Sequence, residues 1–374
     1  MPQPAETGHS RRAVLSAAAL GLAGSAFSSP VARAARAAVP KLAIPQVDAL
    51  TIQVVTDAAT FGPFLDDLDL PGMKVLRAGN GAATGARRMS PHALMGEFGL
   101  SLLATSRVSG ILRQVMVDFG YTQDVLRNNM ALLGIDPARI DAAVLSHGHL
   151  DHYGGFPGLF GADAQGRHHL PLTVGGEETF CERVAMIGNP PPVMGALDRI
   201  ALAKAGFSVT IDPQPSLVAD HAFTTGVIPL ASFEGAAIPT QMRPGVGCDR
   251  ALLEPGKRLG AQMPDDAEHE LATCYVVKGL GLVVIASCSH RGVINSVRRA
   301  QAVSGISKVH AVIGGFHLVR PRSAEDARRT VAEFAVIDPT FIVPMHCTGE
   351  IFTAEALRLF PEKVVPRLAD TATR

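Results

Sequence analysis

Three histidines and an aspartate, His147, His149, Asp151 and His152, fall within six consecutive positions. Imidazole nitrogens and a carboxylate oxygen are the donors that hold a borderline divalent cation such as zinc, manganese or iron. The surrounding stretch, Ser146-His147-Gly148-His149-Leu150-Asp151-His152-Tyr153-Gly154-Gly155, follows directly on the apolar run Ile140-Asp141-Ala142-Ala143-Val144-Leu145. That order reads as a core strand delivering a glycine-flanked ligand loop, and no packed core needs so many ligand side chains on one turn. A bound divalent ion lowers the pKa of its water from near 16 to about 7, so such a loop points to hydrolytic chemistry that needs no serine or cysteine nucleophile.

Other strand ends carry more donors. Cys288-Ser289-His290 follows the β-branched run Leu282 to Ser287, His317 follows Val309 to Ile313, and His346-Cys347 follows Phe341-Ile342-Val343-Pro344. Further strands are expected at Leu50–Thr56, Glu97–Ala104, Ile111–Asp118, Leu170–Val174, Thr225–Pro229 and Glu270–Lys278. Helical spacing is expected over Thr122–Leu133, with Gly134 past its end, and over Glu177–Ala185, Gly292–Val303 and Ala324–Phe334, the last with Ser323 as N-cap. Residues 58–91 and 236–266, rich in Gly, Pro, Ala and Arg, read as surface excursions of the kind that often shape a pocket. Strands alternating with helices place the chain in the α/β class.

His147-x-His149-x-Asp151-His152 resembles the signature of the metallo-β-lactamase superfamily. Within it, Glu97-Phe98-Gly99-Leu100-Ser101, Cys288-Ser289-His290-Arg291-Gly292, Gly314-Gly315-Phe316-His317-Leu318 and His346-Cys347-Thr348-Gly349 occur in the order seen in the subgroup of dihydropterin-methyl-ribofuranosylaminobenzene phosphate synthase-like metal-dependent hydrolases. The resemblance covers about residues 50–350. It implies a four-layer αββα sandwich, two mixed sheets with helices outside, and a site at the sheet edge for two divalent metal ions, with zinc first and manganese or iron as alternatives. His147 and His149 would bind the first metal, and Asp151, His152 and His346 the second, Asp151 also orienting the nucleophile. The usual bridging aspartate is replaced by Ser287-Cys288-Ser289-His290; His290 is the preferred ligand there, with Cys288 and His269 as alternatives. His317 would be a ligand or a substrate contact. His92, His168, His169, His221, His310 and Cys347 read as surface, core or packing residues.

The chain has 374 residues, 34 basic and 34 acidic, and no tryptophan. Zero formal charge and few aromatics argue against nucleic acid as a partner. Five cysteines at scattered positions do not make a disulfide framework, and the odd number leaves at least one free or bound to something else. Ser10-Arg11-Arg12-Ala13-Val14-Leu15 and the apolar run from Ala17 to Phe27 resemble a twin-arginine signal peptide, with Ala32-Arg33-Ala34 and Ala35-Arg36-Ala37 as candidate cleavage sites. Residues 1–37 would be removed and 38–374 form one domain. No segment is expected to span a membrane permanently.

These readings converge on an exported, periplasmic or secreted hydrolase that turns a metal-bound hydroxide on a small ester, lactone, amide or phosphoester. The twin-arginine export machinery would be its partner. Alternatives of other classes are a pterin-precursor synthase-like transferase, iron-dependent oxygen or sulfur chemistry, and a non-catalytic metal-binding protein of the same fold.

Overall fold

A computed structural model describes residues 42–58, 67–77, 93–160, 169–365 and 371–373. The expected signal peptide, His92, His168 and much of the 58–91 excursion lie outside them.

Two large sheets form the frame. In the first, nine strands run in the order Phe207–Ile211, Leu170–Val174, Ala142–Val144, Ile111–Val117, Ser101–Val108, Ala49–Thr56, Thr371–Thr373, Met73–Arg77, Leu68–Leu70. The second orders Leu217–Val218, Ala222–Thr224, Thr273–Val277, Gly281–Ala286, Val309–Gly314 and Phe341–Pro344, with Gln46–Val47 added beside Thr273–Val277. Residue alternation on each strand sets what packs where. Val115 and Val117 of the first sheet meet Val283, Ile285, Ile313 and Val343 of the second in one central cluster. The residues between them face outward. Met116 joins Leu126 and Met130 of helix α1 (Gln123–Leu132) and, beyond a one-turn helix α2 (Leu150–Tyr153), Leu202 of α3 (Arg199–Lys204). Val284 and Val312 pack under Val297 of α4 (Val293–Ser304), Phe334 of α5 (Ala324–Ile337) and Phe352 of α6 (Glu350–Leu359). This is the expected αββα sandwich.

Most strands fall within a few residues of the sequence reading, and Ser323 closes a capping box with Asp326 at the start of α5. Four expectations need correction. Glu177–Ala185 is not a helix: Glu177–Phe180 makes a single 3-10 turn and Glu182–Ala185 a strand, because Thr240–Arg243 pairs with it antiparallel from far along the chain. The 236–266 excursion is therefore partly ordered into a small third sheet with Val193–Gly195, Glu182–Ala185, Thr240–Arg243 and Met263–Pro264. Within 58–91, Leu68–Leu70 and Met73–Arg77 form a hairpin through Gly72, whose φ of 84° a side chain would strain, and extend the first sheet. The strand expected at Thr225–Pro229 ends earlier, as Ala222–Thr224.

Gly281–Ala286, Val309–Gly314 and Phe341–Pro344 are parallel neighbours, so their ends lie along one sheet edge. The chain turns sharply there. Asp118, Ser289, His317 and His346 have φ of 59°, 60°, 41° and 46°. Non-glycine residues in this region cost of order 1 kcal/mol or more each, and such positions gather at functional sites.

Candidate metal centre

Ala142–Val144 leads through Leu145 to Ser146, and the loop that follows turns into α2 with His149 as its N-cap. The loop is held close to its surroundings at Gly148, where a Cβ would stand 2.2 Å from the Thr179 carbonyl oxygen. Gly99 performs the same service opposite, where a Cβ would meet the Asp151 carbonyl oxygen at 2.8 Å. Leu100 N–H donates to that oxygen (3.3 Å), and Glu97 accepts from Tyr121 N–H (2.7 Å) and the Thr122 hydroxyl (2.8 Å) at the start of α1. The Glu97-to-Ser101 motif thus braces the loop.

The histidines fall into two groups. His147, His149 and His290 bring ligand atoms within 4.8 Å of one another, and their rings form a near-equilateral triangle with centroids 4.6, 4.8 and 4.7 Å apart. In the second group His152 Nε2 lies 3.2 Å from His346 Nε2, and Asp151 Oδ2 lies 3.2 Å from His346 Nε2 and 3.5 Å from His152 Nε2. Ligands at 2.0–2.1 Å around a tetrahedral ion would stand about 3.3 Å from each other, so this triangle has the size of one face of a zinc-like site. Cys288 Sγ completes a third set with His147 and His152, between the two groups.

Hydrogen bonds turn the lone pairs inward. Asp118, fully buried, accepts from Ser146 N–H (2.7 Å), from the Ser146 hydroxyl (2.8 Å) and from His152 Nδ1–H (2.8 Å). With its proton given to Asp118, Ser146 Oγ accepts from His147 Nδ1–H (2.9 Å), which leaves His147 Nε2 bare. Asp265 repeats the device: it accepts from the Thr240 hydroxyl (3.2 Å), which accepts from His149 Nε2–H (3.0 Å) and leaves Nδ1 free. His290 Nδ1–H donates to the Ala237 carbonyl (3.2 Å), and its Nε2 has no hydrogen-bond partner. Carboxylate partners of this kind fix the tautomer and raise the basicity of a ligating imidazole.

The electrostatics agree. Burial first, then neighbouring imidazoles, keeps His147 and His290 well below the ordinary 6.5, in the neutral form that can ligate. His346 goes the other way, up to about 9: burial opposes the charge, but Cys347 and Asp151 outweigh it. Buried, orphaned nitrogens on neutral rings and a carboxylate at chelating distance fit one or two divalent ions.

The sequence reading placed His147, His149, Asp151, His152, His290, His317 and His346 at one site, and all seven are brought together. His290 is not between the two groups, however; it completes the first, and Cys288 takes the intermediate place. The left-handed turn at Ser289 separates the two side chains. His269 is no ligand: its Nε2 accepts from Gly148 N–H (3.1 Å) and Arg183 Nη2 (3.0 Å), and Nδ1 faces Glu178 (3.4 Å). His317 stacks beside His290, ring centroids 4.3 Å apart, with Nδ1 3.5 Å from Cys288 Sγ and Nε2 unpartnered. His221 bonds Ser106, and His310 bonds the Gly72 carbonyl far from the site.

Sequence reasoning missed Asp118, Thr240, Asp265 and Glu270, which holds the His290 turn by accepting from His290 N–H and Arg291 N–H (both 2.8 Å). Only Asp118, at the end of a strand, carried a signal. Asp118→Asn would set an amide, with one acceptor oxygen in place of two, where three donors point. The variant is expected to bind metal 10- to 100-fold more weakly, read by zinc titration; affinity within about twofold of wild type would dismiss the relay.

A cavity of about 190 Å³ opens beside the second group, lined by Phe98, Val319, Met345, His346, Cys347 and Thr353. Phe98 is 65% exposed and stacks on His346, ring centroids 5.0 Å apart. The larger cavity, about 630 Å³, lies by Asp48, Gly72, Leu280 and His310, at the opposite ends of the strands, where no cluster of three metal-capable side chains is found among the described residues.

The family model described as the metallo-beta-lactamase superfamily matches residues 113–172. A curated relative, the 7,8-dihydropterin-6-methyl-4-(beta-D-ribofuranosyl)-aminobenzene-5'-phosphate synthase of Methanocaldococcus jannaschii, is 30% identical over 265 residues, 69% of this chain and 83% of the relative. An uncharacterized protein of the same organism is 25% identical over 63% of this chain and 80% of its own length. Among solved structures, Tm1679, a metal-dependent hydrolase of the beta-lactamase superfamily, superposes with a TM-score of 0.61 at 22% identity, over 87% of this chain and 98% of that one.

Proposed function

The chain belongs to the metallo-β-lactamase superfamily, and on that premise we propose that it is an exported metal-dependent hydrolase of a small ester, lactone, amide or phosphoester. The observation that carries this reading is the pair of adjoining donor groups, His147–His149–His290 and Asp151–His152–His346, with Cys288 between them. Divalent ions held there, zinc before manganese or iron, would supply Lewis acidity and an acidified water.

The protein's own groups do the rest. Asp118 and Asp265, through Ser146 and Thr240, keep His147 and His149 in single tautomers, so the donors need no reorganisation when the substrate arrives. Asp151 closes the second group and, with the metal bound, would orient the nucleophile toward the reacting atom. In this reading His317, whose buried Nε2 has no hydrogen-bond partner, would serve as a ligand or meet the substrate or its leaving group. Phe98 and Val319 wall the cavity, and about 190 Å³ is below the roughly 300–1,000 Å³ of typical ligand pockets. It would take the reacting group rather than a whole large substrate.

Export is supported by the disulfide between Cys181 and Cys248, since such bonds persist in oxidising compartments. One bridge and three free cysteines agree with the expectation of no disulfide framework and at least one unpaired thiol. No helix among the described residues is long and apolar enough to cross a membrane. Cell fractionation with N-terminal sequencing tests this part: a cytoplasmic, unprocessed chain overturns it.

The activity test is elemental analysis of the purified protein, followed by a panel of esters, lactones, amides and phosphodiesters before and after chelation. We expect stoichiometric divalent metal, turnover lost on chelation, and recovery on adding zinc or manganese. Stoichiometric iron with little zinc, or a loaded protein inert across the panel, would sink the hydrolase reading. The synthase relative favours a second reading, carbon–nitrogen bond formation on a pterin precursor; product from a pterin and an arylamine, with no hydrolysis, would establish it instead.

A further inference from the structure

Cys288 and Cys347 leave the ends of Gly281–Ala286 and Phe341–Pro344, two strands separated by Val309–Gly314. Their sulfurs nevertheless lie 3.0 Å apart, both side chains buried. Gly315, at the end of the intervening strand, makes this approach possible: a Cβ there would stand 2.8 Å from Cys347 Sγ. Two thiols so placed need only about 1 Å of movement to reach a bond of about 2.05 Å. The remaining free cysteine, Cys274, is buried in the core strand Thr273–Val277, packed with Val276 and Val284.

Cys288 Sγ has a competing set of neighbours, because it also lies within 4.8 Å of the ligand atoms of His147 and His152. We infer that Cys288 and Cys347 form a reversible oxidation site whose closure to a disulfide withdraws Cys288 from the metal centre, so that metal loading and thiol oxidation exclude one another. The coupling rests on the reading of His147 and His152 as metal ligands. Cys347 lines the cavity of about 190 Å³, which gives an oxidant as small as hydrogen peroxide a route to the pair. Peroxide converts the Cys347 thiol to a sulfenic acid and water, and the Cys288 sulfur then displaces the second oxygen as water. In sum, two thiols and one peroxide give one disulfide and two waters, and a small dithiol reverses the step by exchange. For a chain exported folded, the metal would have to be in place before the oxidising compartment is reached.

Full-length protein with and without bound zinc is treated with hydrogen peroxide, its cysteines are mapped by alkylation and peptide mass spectrometry, and zinc uptake is then titrated. In the metal-stripped protein a Cys288–Cys347 peptide should appear and zinc affinity should fall at least tenfold, both reversed by a dithiol. Zinc-loaded protein should keep both thiols alkylatable. Cys347→Ser should take up zinc equally before and after peroxide, whereas Cys274→Ser should respond as wild type. Absence of the linked peptide in protein that binds zinc overturns the inference, as does a linked peptide with unchanged zinc uptake. Reduced protein that takes up no zinc overturns the metal-centre reading itself, whatever its thiols do.

Discussion

His147→Ala protein is expected to hold less than a tenth of the wild-type metal and to lose activity by on the order of 10³-fold, with an unchanged far-UV circular dichroism spectrum. His147 belongs to two donor sets, one with His149 and His290 and one with His152 and Cys288. Its Nε2 has no protein partner, and its Nδ1 is tied through Ser146 to Asp118. Loss of an outer-shell carboxylate typically costs 10- to 100-fold, so loss of a ligand common to both sets should cost more. The fold should survive, because no hydrophobic cluster includes His147 and the imidazole's removal strands only one acceptor lone pair of a serine that still donates to Asp118. His221→Ala, which loses a bond to Ser106 away from the site, is the control and should keep its metal. A His147→Ala enzyme with full activity would dismantle the site.

The largest stability effect is expected at Asp265. Arg183 is wholly buried and donates through Nε to Asp265 Oδ2 (2.8 Å), while its other nitrogens reach the Cys181 and Glu178 carbonyls. Burial alone would raise the Asp265 pKa, but the Arg183 guanidinium beside it holds that carboxyl well below the usual range. Removing one partner of a buried pair leaves an uncompensated charge and costs about 3–5 kcal/mol. Asp265→Ala should therefore melt roughly 4–7 °C lower. It should also weaken metal binding, since the Thr240–His149 relay loses its base. The double variant Arg183→Met/Asp265→Leu separates these effects: much of the melting temperature should return and the metal affinity should not. A single variant melting within about 2 °C of wild type would show that the pair carries no such load.

What could be read from the sequence was whatever lay contiguous in it. A β-branched run followed by ligands, as at Ile140–His152 or Val309–His317, states both the element and its cargo in one stretch; the seven gathered residues were read from such stretches, and the sandwich from the family resemblance that their motifs carry. The carboxylates behind the ligands were not legible. Asp118, Asp265 and Glu270 look like any other acid until folding sets them beside Ser146, Thr240 and His290. The helix expected at Glu177–Ala185 failed for a related reason: its strand partner, Thr240–Arg243, lies some 60 residues on. Five cysteines allow several pairings, and spacing could not single out Cys181 with Cys248.

That cross-link has a consequence for the unfolded chain. It closes a loop with a sequence separation of 67 residues, and by loop-closure entropy such a tie raises the free energy of the denatured ensemble by about 4 kcal/mol. The loop encloses Arg183 and Thr240, so the two segments that support His149 unfold as one tethered body rather than two free ends. Chain made in a reducing cytoplasm forgoes that tether, and the segments behind His149 are then held by packing and hydrogen bonds alone.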